Sequence, residues 1–403
     1  MEIHRVKSLY ELESRAAAWN KLAGRVPFRS WEWLSAWWEF YGVHDDQNRP
    51  RHPYVLCVEH QRQLVAVVPW YIEDLPWQGR VLKFLGSGPV CSEHLTIFCE
   101  RDWETKVARA VADWLTAAAH EGPDGWDQID LEGIDVTDLA MCRLAEQLSD
   151  REMLVHCRPG LPCWRVHLPG NWDDYLKMLS RSHRKELRSM QRRVWDRGRA
   201  RLFTARTTDE LTWAWNLLVD LHQRRRLSRG NPGCFAAPRF AGFHGEVVRR
   251  LLSAGWLQLN WLELDGRPIA AEYQLVEDGV IYAYQSGIEV DALAHMPGRL
   301  ITMGVLREAI ESGCRSYDLL RGDEPYKAHW RAQPHPTIDL CVLPNRGADR
   351  LRYGFWVAGD GMKGWLKNYL PNGAESLSPD APLLEVWRDA TSQSGITALL
   401  PDA

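Results

Sequence analysis

Asp318, at the start of the apolar run Tyr317-Asp318-Leu319-Leu320, is the first acid/base candidate, and Glu272, which interrupts the run Ile269-Ala270-Ala271-Glu272-Tyr273, is the second. Desolvation in a buried strand raises a carboxyl's pKa, and a base that works near neutral pH needs that rise. Plainer readings stand beside these. Period-two alternation can put Glu272 on a solvated face, and a strand-end aspartate is commonly bonded to backbone or to an arginine. Tyr326 and Lys327 follow the turn Gly322-Asp323-Glu324-Pro325. A phenol there can protonate a leaving group and an ammonium can hold a phosphate or carboxylate; alternatively, both belong to a surface turn packed by Trp330. Pro297-Gly298-Arg299-Leu300-Ile301 reads as a helix start. Proline suits the first helical position, and glycine lets an anion approach the free N–H groups closely. An ordinary Pro-Gly turn would read the same way. Tyr284 faces a ligand or packs.

The strongest electrostatic feature is the segment 177–201. Ten basic residues, among them Arg181, Arg184, Lys185, Arg188 and Arg192, are opposed only by Glu186 and Asp196, a net charge of +8. Leu176, Leu179, His183, Leu187, Met190 and Val194 recur at spacings of three and four, so the segment predicts a basic amphipathic helix. Its cations are either solvated or form an anion site for a phosphorylated donor, a nucleotide-sugar, RNA or acidic lipid headgroups. Arg224-Arg225-Arg226 and Arg229 make a second patch before Asn231-Pro232-Gly233.

The elements that must position these residues fall into two similar series. In the first, a helix at Ser30–Tyr41 precedes strands at 54–59, 64–71 and 80–85, a helix over 103–119 and a strand at 128–131. In the second, a helix at 239–253 precedes strands at 256–264, 269–276 and 280–286, a helix at 298–312 and a strand at 316–320. Asp265-Gly266 marks a type I′ hairpin, which needs positive φ. The repeated order predicts a duplicated α/β chain, a mixed sheet in each half, with a break near 158–172 where prolines and glycines cluster. The expected domains are 1–165, 166–345 and a helical extension with a mobile tail over 346–403. Trp33, Trp37 and Trp38 are expected in the core of the first domain. Trp213, Trp215 and Trp261 either stack on sugar rings or pack.

The chain has 403 residues, a net charge of −4 and 45% hydrophobic residues. That composition excludes disorder as the main state, and the overall charge does not mark a general nucleic-acid binder. No apolar leader or membrane-length apolar run is present, which predicts a cytoplasmic protein with the membrane surface as a work site. Nine scattered cysteines fit a reducing compartment. The clusters Cys91-Ser92-Glu93-His94 with Cys99, and His156-Cys157 with Cys163, lack paired Cys-x-x-Cys spacing, so no metal is expected. P-loop, dinucleotide and Gly-x-Ser-x-Gly signatures are missing.

Three antiparallel strands, a helix and a parallel strand resemble the order of the GNAT N-acetyltransferase core. Ser180-Arg181-Ser182-His183-Arg184-Lys185, Tyr284-Gln285-Ser286-Gly287, Pro297-Gly298-Arg299-Leu300 and Tyr317–Lys327 with Trp330 are similar to the CelD/BcsL-type acyltransferases, associated with cellulose biosynthesis and related to the tandem-GNAT Fem transferases. The resemblance implies two tandem GNAT-like domains, the second catalytic and the first a degenerate partner. It implies acyl transfer, with acetyl-CoA or another acyl-CoA as donor. The acceptor would be an amine or hydroxyl of a sugar or polysaccharide precursor, and polysaccharide-synthesis machinery a partner. Asp318, Glu272 and Tyr326 would be catalytic. Pro297 to Ile301 and Lys327 would hold the donor, and Arg184, Arg188 and Tyr284 the substrate. The stretch His295–Leu300 keeps only one glycine of the usual acetyl-CoA loop. That departure, with the basic helix, supports an alternative aminoacyl-tRNA donor of the Fem kind; a non-catalytic scaffold in a secretion complex is the other alternative.

Overall fold

The computed structural model describes residues 1–44, 47–119 and 122–347. The expected helix at 351–370 and the tail lie outside the described residues. In chain order the elements are β1 (Glu2–Val6), α1 (Ala16–Leu22), α2 (Trp31–Tyr41), β2 (Arg51–His60), β3 (Gln63–Leu75), β4 (Gly79–Phe84), β5 (Phe98–Cys99), α3 (Glu104–Ala118), β6 (Gln128–Asp135), α4 (Leu139–Ser149) and β7 (Leu154–Pro159). They continue with β8 (Cys163–His167), α5 (Trp172–Met178), α6 (Arg181–Met190), β9 (Ala200–Thr204), α7 (Thr208–Leu227), α8 (Pro238–Ala254), β10 (Leu257–Leu264), β11 (Arg267–Glu277) and β12 (Val280–Ile288). The last are α9 (Pro297–Glu311), β13 (Ser316–Arg321), α10 (Tyr326–His329), β14 (Gln333–His335) and β15 (Thr337–Leu343).

Two mixed sheets result. The first runs β1-β2-β3-β4-β6-β15-β7, with β5 beside β3, and the second runs β14-β8-β13-β12-β11-β10-β9. Each holds one parallel pair, β4 with β6 and β12 with β13, placed after a meander of three strands. Turn chemistry explains the second meander. Asp265 and Gly266 both have positive φ, 52° and 81°, as do Asp278 and Gly279 at the next turn.

The described residues divide into two compact units, one made of Met1–Gly24, Tyr41–Leu161 and the residues described from Pro336 on, the other of Arg25–Phe40 and Pro162–His335. The division is not one cut. β15 comes from the second half of the sequence and pairs with β6 and β7, while β8 follows β7 directly and pairs with β13 and β14. Each sheet is thus completed by a strand that the other half of the sequence supplies. The placement of Trp33 differs from expectation. Its indole packs edge-on against Phe243, with ring centroids 5.2 Å apart, inside the second unit. Helical spacing showed that one face of α2 is apolar but not which surface covers it.

The second unit has two layers over its sheet. On one face α5, α6 and α9 enclose an aliphatic core that includes Leu176, Leu187, Leu262, Ala270, Leu300 and Leu306. The opposite face carries the aromatic side chains of Trp33, Trp215, Phe243, Tyr273 and Tyr284, around His244. The basic segment is not one helix: Ser180 caps a new start, accepting from the His183 N–H, and Gln191–Trp195 continues α6 with π-helical bonding. The expected apolar stripe holds, with His183, Leu187 and Met190 all buried.

Candidate active site

Glu272 lies in β11 with its side chain turned to the α9 face, 6% exposed. Thr302 of α9 donates to Oε1 at 2.8 Å, Gln274 Nε2 donates to Oε2 at 2.6 Å, and the Tyr317 hydroxyl donates to Oε2 at 3.4 Å. Gln274 is fixed in turn, its Oε1 accepting from Asn260 at 3.0 Å, and Asn260 Oδ1 accepts from Thr204 at 2.7 Å. Burial pushes the Glu272 carboxyl up to about 7, although the bonds from Thr302 and Tyr317 pull it down. A carboxyl at that value exchanges its proton at neutral pH, which a general base requires. Tyr317 is buried, and desolvation, then the nearby charges of Glu272 and Tyr326, hold its phenol well above the usual 10. Tyr326 is 52% exposed. Loss of water around its hydroxyl, then the carboxylates of Glu324 and Glu272, push it up to about 12, so it stays protonated and can donate. Glu272, Tyr317 and Tyr326 therefore form one electrostatic cluster, with Tyr317 enclosed and Tyr326 half-exposed as a residue while its hydroxyl is turned out of water.

Asp318 is completely buried, and its partners define its work. Arg165 of β8 donates to Oδ2 from Nε at 3.1 Å and from Nη2 at 2.9 Å, while the Leu320 N–H donates to Oδ1 at 2.8 Å. Leu320 has a φ of 57°, a conformation that costs a non-glycine residue about 1–3 kcal/mol. Lys327 is 1% exposed and donates to the carbonyls of Leu320, Arg321 and Gly322 at 3.1, 2.8 and 3.1 Å, with Glu324 at 2.9 Å. Asp318 and Lys327 thus clamp a kink in β13 from two sides. The kink has a consequence for the sheet. β12 and β13 pair in parallel only over Val280–Tyr282 and Ser316–Asp318, and then both continue unpaired with each other. A β-bulge at Tyr284, between the pairs Tyr273–Gln285 and Gln274–Ala283, breaks the regular register of β11 and β12 just beyond that point, with the two strands paired on either side of it.

The α9 start stands at the end of β12, next to Ile288. Met296 enters it with a left-handed φ of 54° and no side chain caps the first turn. The Gly298 and Arg299 N–H groups have no acceptor among the described residues. A Cβ on Gly298 would meet nothing nearer than Ile288 Cγ2 at 4.0 Å, so the backbone is open to a ligand. Pro297, Leu300 and Ile301 are buried and fix the helix in the core. Arg299 bonds to Glu186 of α6, which ties the basic helix to this helix start. Arg184 donates to the Leu179 carbonyl at 3.2 Å and leaves its buried Nε without an acceptor. Arg188 is exposed. Tyr284 belongs elsewhere: its hydroxyl lies 3.0 Å from His244 Nε2, on the sheet face opposite Glu272. Sequence reasoning missed Gln274, Thr302, Tyr317 and Arg165. Only Gln274 left a local signal, two residues from Glu272 on the same strand face.

Residues 181–328 match the family model of the acetyltransferase (GNAT) domain. The chain carries a GNAT-type acyltransferase domain. Glu272, Thr302, Tyr317, Tyr326 and the α9 start all fall inside the GNAT domain, whereas Arg165 lies before it. The fold agrees with solved structures. FemX superposes with a TM-score of 0.60 at 11% identity, over 87% of this chain and 99% of that one. The C-terminal domain of a putative lysylphosphatidylglycerol synthetase from Agrobacterium fabrum gives 0.50 at 12% identity, over 85% and 94%. No curated protein sequence matches the chain. Among the described residues no helix is long and apolar enough to cross a membrane, and no group of three or more His, Cys, Asp or Glu side chains is placed to hold a metal ion.

Proposed function

We propose that the protein transfers an acyl group from an acyl-CoA thioester to an amine or hydroxyl, with Glu272 as the base. The observation that carries this reading is a buried carboxyl at about 7 inside the GNAT domain, hydrogen-bonded on both oxygens. Glu272 takes the proton of the attacking amine or hydroxyl, the acceptor's N or O bonds to the acyl carbon, and the C–S bond breaks. Tyr326 supplies the proton that the leaving thiolate takes up. The free N–H groups of Gly298 and Arg299, at the positive end of α9, hold the donor's pyrophosphate. Arg184 and Arg188 line the approach from α6. Asp318 and Lys327 keep β13 bent away from β12, which makes the opening the thioester needs. The CelD/BcsL resemblance adds a saccharide or polysaccharide precursor as acceptor and a cytoplasmic or membrane-peripheral setting. Calorimetric titration with acetyl-CoA and longer acyl-CoAs tests the donor; saturable binding supports it, and undetectable binding of all of them removes it.

A second reading, an aminoacyl-tRNA donor, draws on α6. Arg181, Lys185, Arg188 and Arg192 are exposed at spacings of four, three and four, a row of cations along the helix. Four phosphate contacts would give a log–log salt slope of about −4 for tRNA binding. Absent or salt-independent binding rejects this reading.

A further inference from the structure

His222 and Cys234 meet on the sheet face opposite Glu272. Cys234 Sγ lies 3.7 Å from His222 Nε2, and His222 Nδ1 lies 3.1 Å from Gln223 Oε1. Gln223 Nε2 donates to the Pro232 carbonyl at 2.8 Å. That bond fixes which end of the amide faces the imidazole, because only the nitrogen end can donate. Gln223 therefore presents oxygen to Nδ1, Nδ1 carries the ring proton, and Nε2 accepts from the thiol. His222 is 2% exposed; burial, with the Arg226 charge, holds its pKa below 6.5 although Gln223 pulls it up, so the ring is neutral at pH 7. Arg226 Nε donates to the same Nε2 at 3.4 Å, so a guanidinium shares that acceptor with the thiol and stands where thiolate charge forms.

The surrounding loop is built around this arrangement. Asn231 N–H bonds to the Arg226 carbonyl at 3.0 Å, and Gly233 N–H bonds to Asn231 Oδ1 at 3.1 Å. Gly233 has a φ of 74°, and a Cβ there would stand 2.3 Å from Gln223 Oε1, so only glycine admits the amide. Cys234 itself is partly exposed. The pair also lies at the end of β12 that adjoins the α9 start. A Cβ on Gly287 would fall 2.6 Å from the His222 N, and the next residue, Ile288, is the neighbour of Gly298.

We propose that Cys234 is a nucleophilic thiol, activated by His222 and positioned through Gln223, that accepts acyl groups from thioesters. The Cys234 proton passes to His222 Nε2 as sulfur attacks the thioester carbon. A new C–S bond forms to Cys234, the bond to the donor sulfur breaks, and the departing thiolate takes the proton from His222. The choice of electrophile rests on the thioester-donor reading; the activation of the thiol does not.

The test uses the full-length protein at pH 7 with limiting iodoacetamide, read by peptide mass spectrometry against the exposed Cys91. An ordinary thiol near pKa 8.5 is only a few per cent ionised, so Cys234 should alkylate about tenfold faster. His222→Asn and Gln223→Leu should each return it to the Cys91 rate; Gln223 is only partly buried, so its variant tests the positioning even where His222→Asn unfolds. Equal rates at Cys234 and Cys91, or a fast rate kept in both variants, overturn the proposal. In a second arm the acetyl thioester of N-acetylcysteamine should leave a hydroxylamine-labile acetyl group on Cys234, in the native protein and in Glu272→Gln alike. Absence of that adduct overturns the acyl-acceptor assignment. This small thioester lacks the pyrophosphate that α9 would hold, so the result is independent of whether acyl-CoA binds.

Discussion

Glu272→Gln should make the protein more stable and less active, and the stability gain should depend on pH. The carboxyl moves from an ordinary 4.5 to about 7 in the fold. The folded state therefore holds the proton more tightly than the unfolded chain. Its stabilising contribution is complete below pH 4.5 and is lost as pH rises towards 7. A shift of that size corresponds to a penalty of about 3 kcal/mol on the ionised form above pH 8, and about 1 kcal/mol at pH 5.5. Glutamine has the same shape and carries no charge to desolvate. Its oxygen can accept from Gln274, and its nitrogen can donate to the Thr302 hydroxyl. Urea unfolding of both proteins at pH 5.5 and 8.5 measures the effect. The variant's advantage should widen by about 2 kcal/mol across that interval. Acyl transfer should fall by about 10²–10⁴-fold. A stability gap that is flat with pH would show that Glu272 is not held at a raised pKa, and the base assignment would lose its physical ground. Full activity in the variant would remove that assignment directly.

Other substitutions separate the roles of neighbouring residues. Asp318→Asn removes the charge facing Arg165 and should cost about 2 kcal/mol in urea unfolding, while the pH–rate profile keeps its limb near 7. A variant of normal stability without turnover would return the base to Asp318. Gly298→Ala meets open space and should leave stability within about 1 kcal/mol, yet raise the KM for acyl-CoA about tenfold, because the added methyl group holds the pyrophosphate off the backbone N–H groups and weakens about one charged hydrogen bond. An unchanged KM would move the pyrophosphate away from α9. Gly287→Ala forces a methyl group to 2.6 Å from the His222 nitrogen and 2.8 Å from the Leu218 carbonyl oxygen. The backbone of α7 must shift, so thermal unfolding should register a loss of about 1–3 kcal/mol.

The sequence by itself determined the parts that depend on near neighbours. Alternation and turns placed β2 to β4 and β10 to β12 as two meanders; in the second, Asp265-Gly266 and Asp278-Gly279 supply the positive φ that tight hairpins need, and in the first Gln61 and Arg62 adopt it between β2 and β3. Helical spacing marked the buried side of α6, and Pro297-Gly298 marked the start of α9. What the sequence left open was what covers each face. Period two says that Glu272 and Gln274 share a side of β11; only the packing of α9, with Thr302 and Tyr317, makes that side dry enough to lift a carboxyl to about 7. Asp318 shows the reverse case. It is more deeply buried than Glu272, but Arg165, 153 residues away in sequence, meets its charge and turns it to holding a kink. The exchange of β8 and β15 is equally invisible in the linear chain, since a strand's local pattern is the same in either sheet. Cys234 and His222 are only 12 residues apart. Even so, their meeting depends on a loop folded back at Gly233, and on an amide whose orientation a single carbonyl decides.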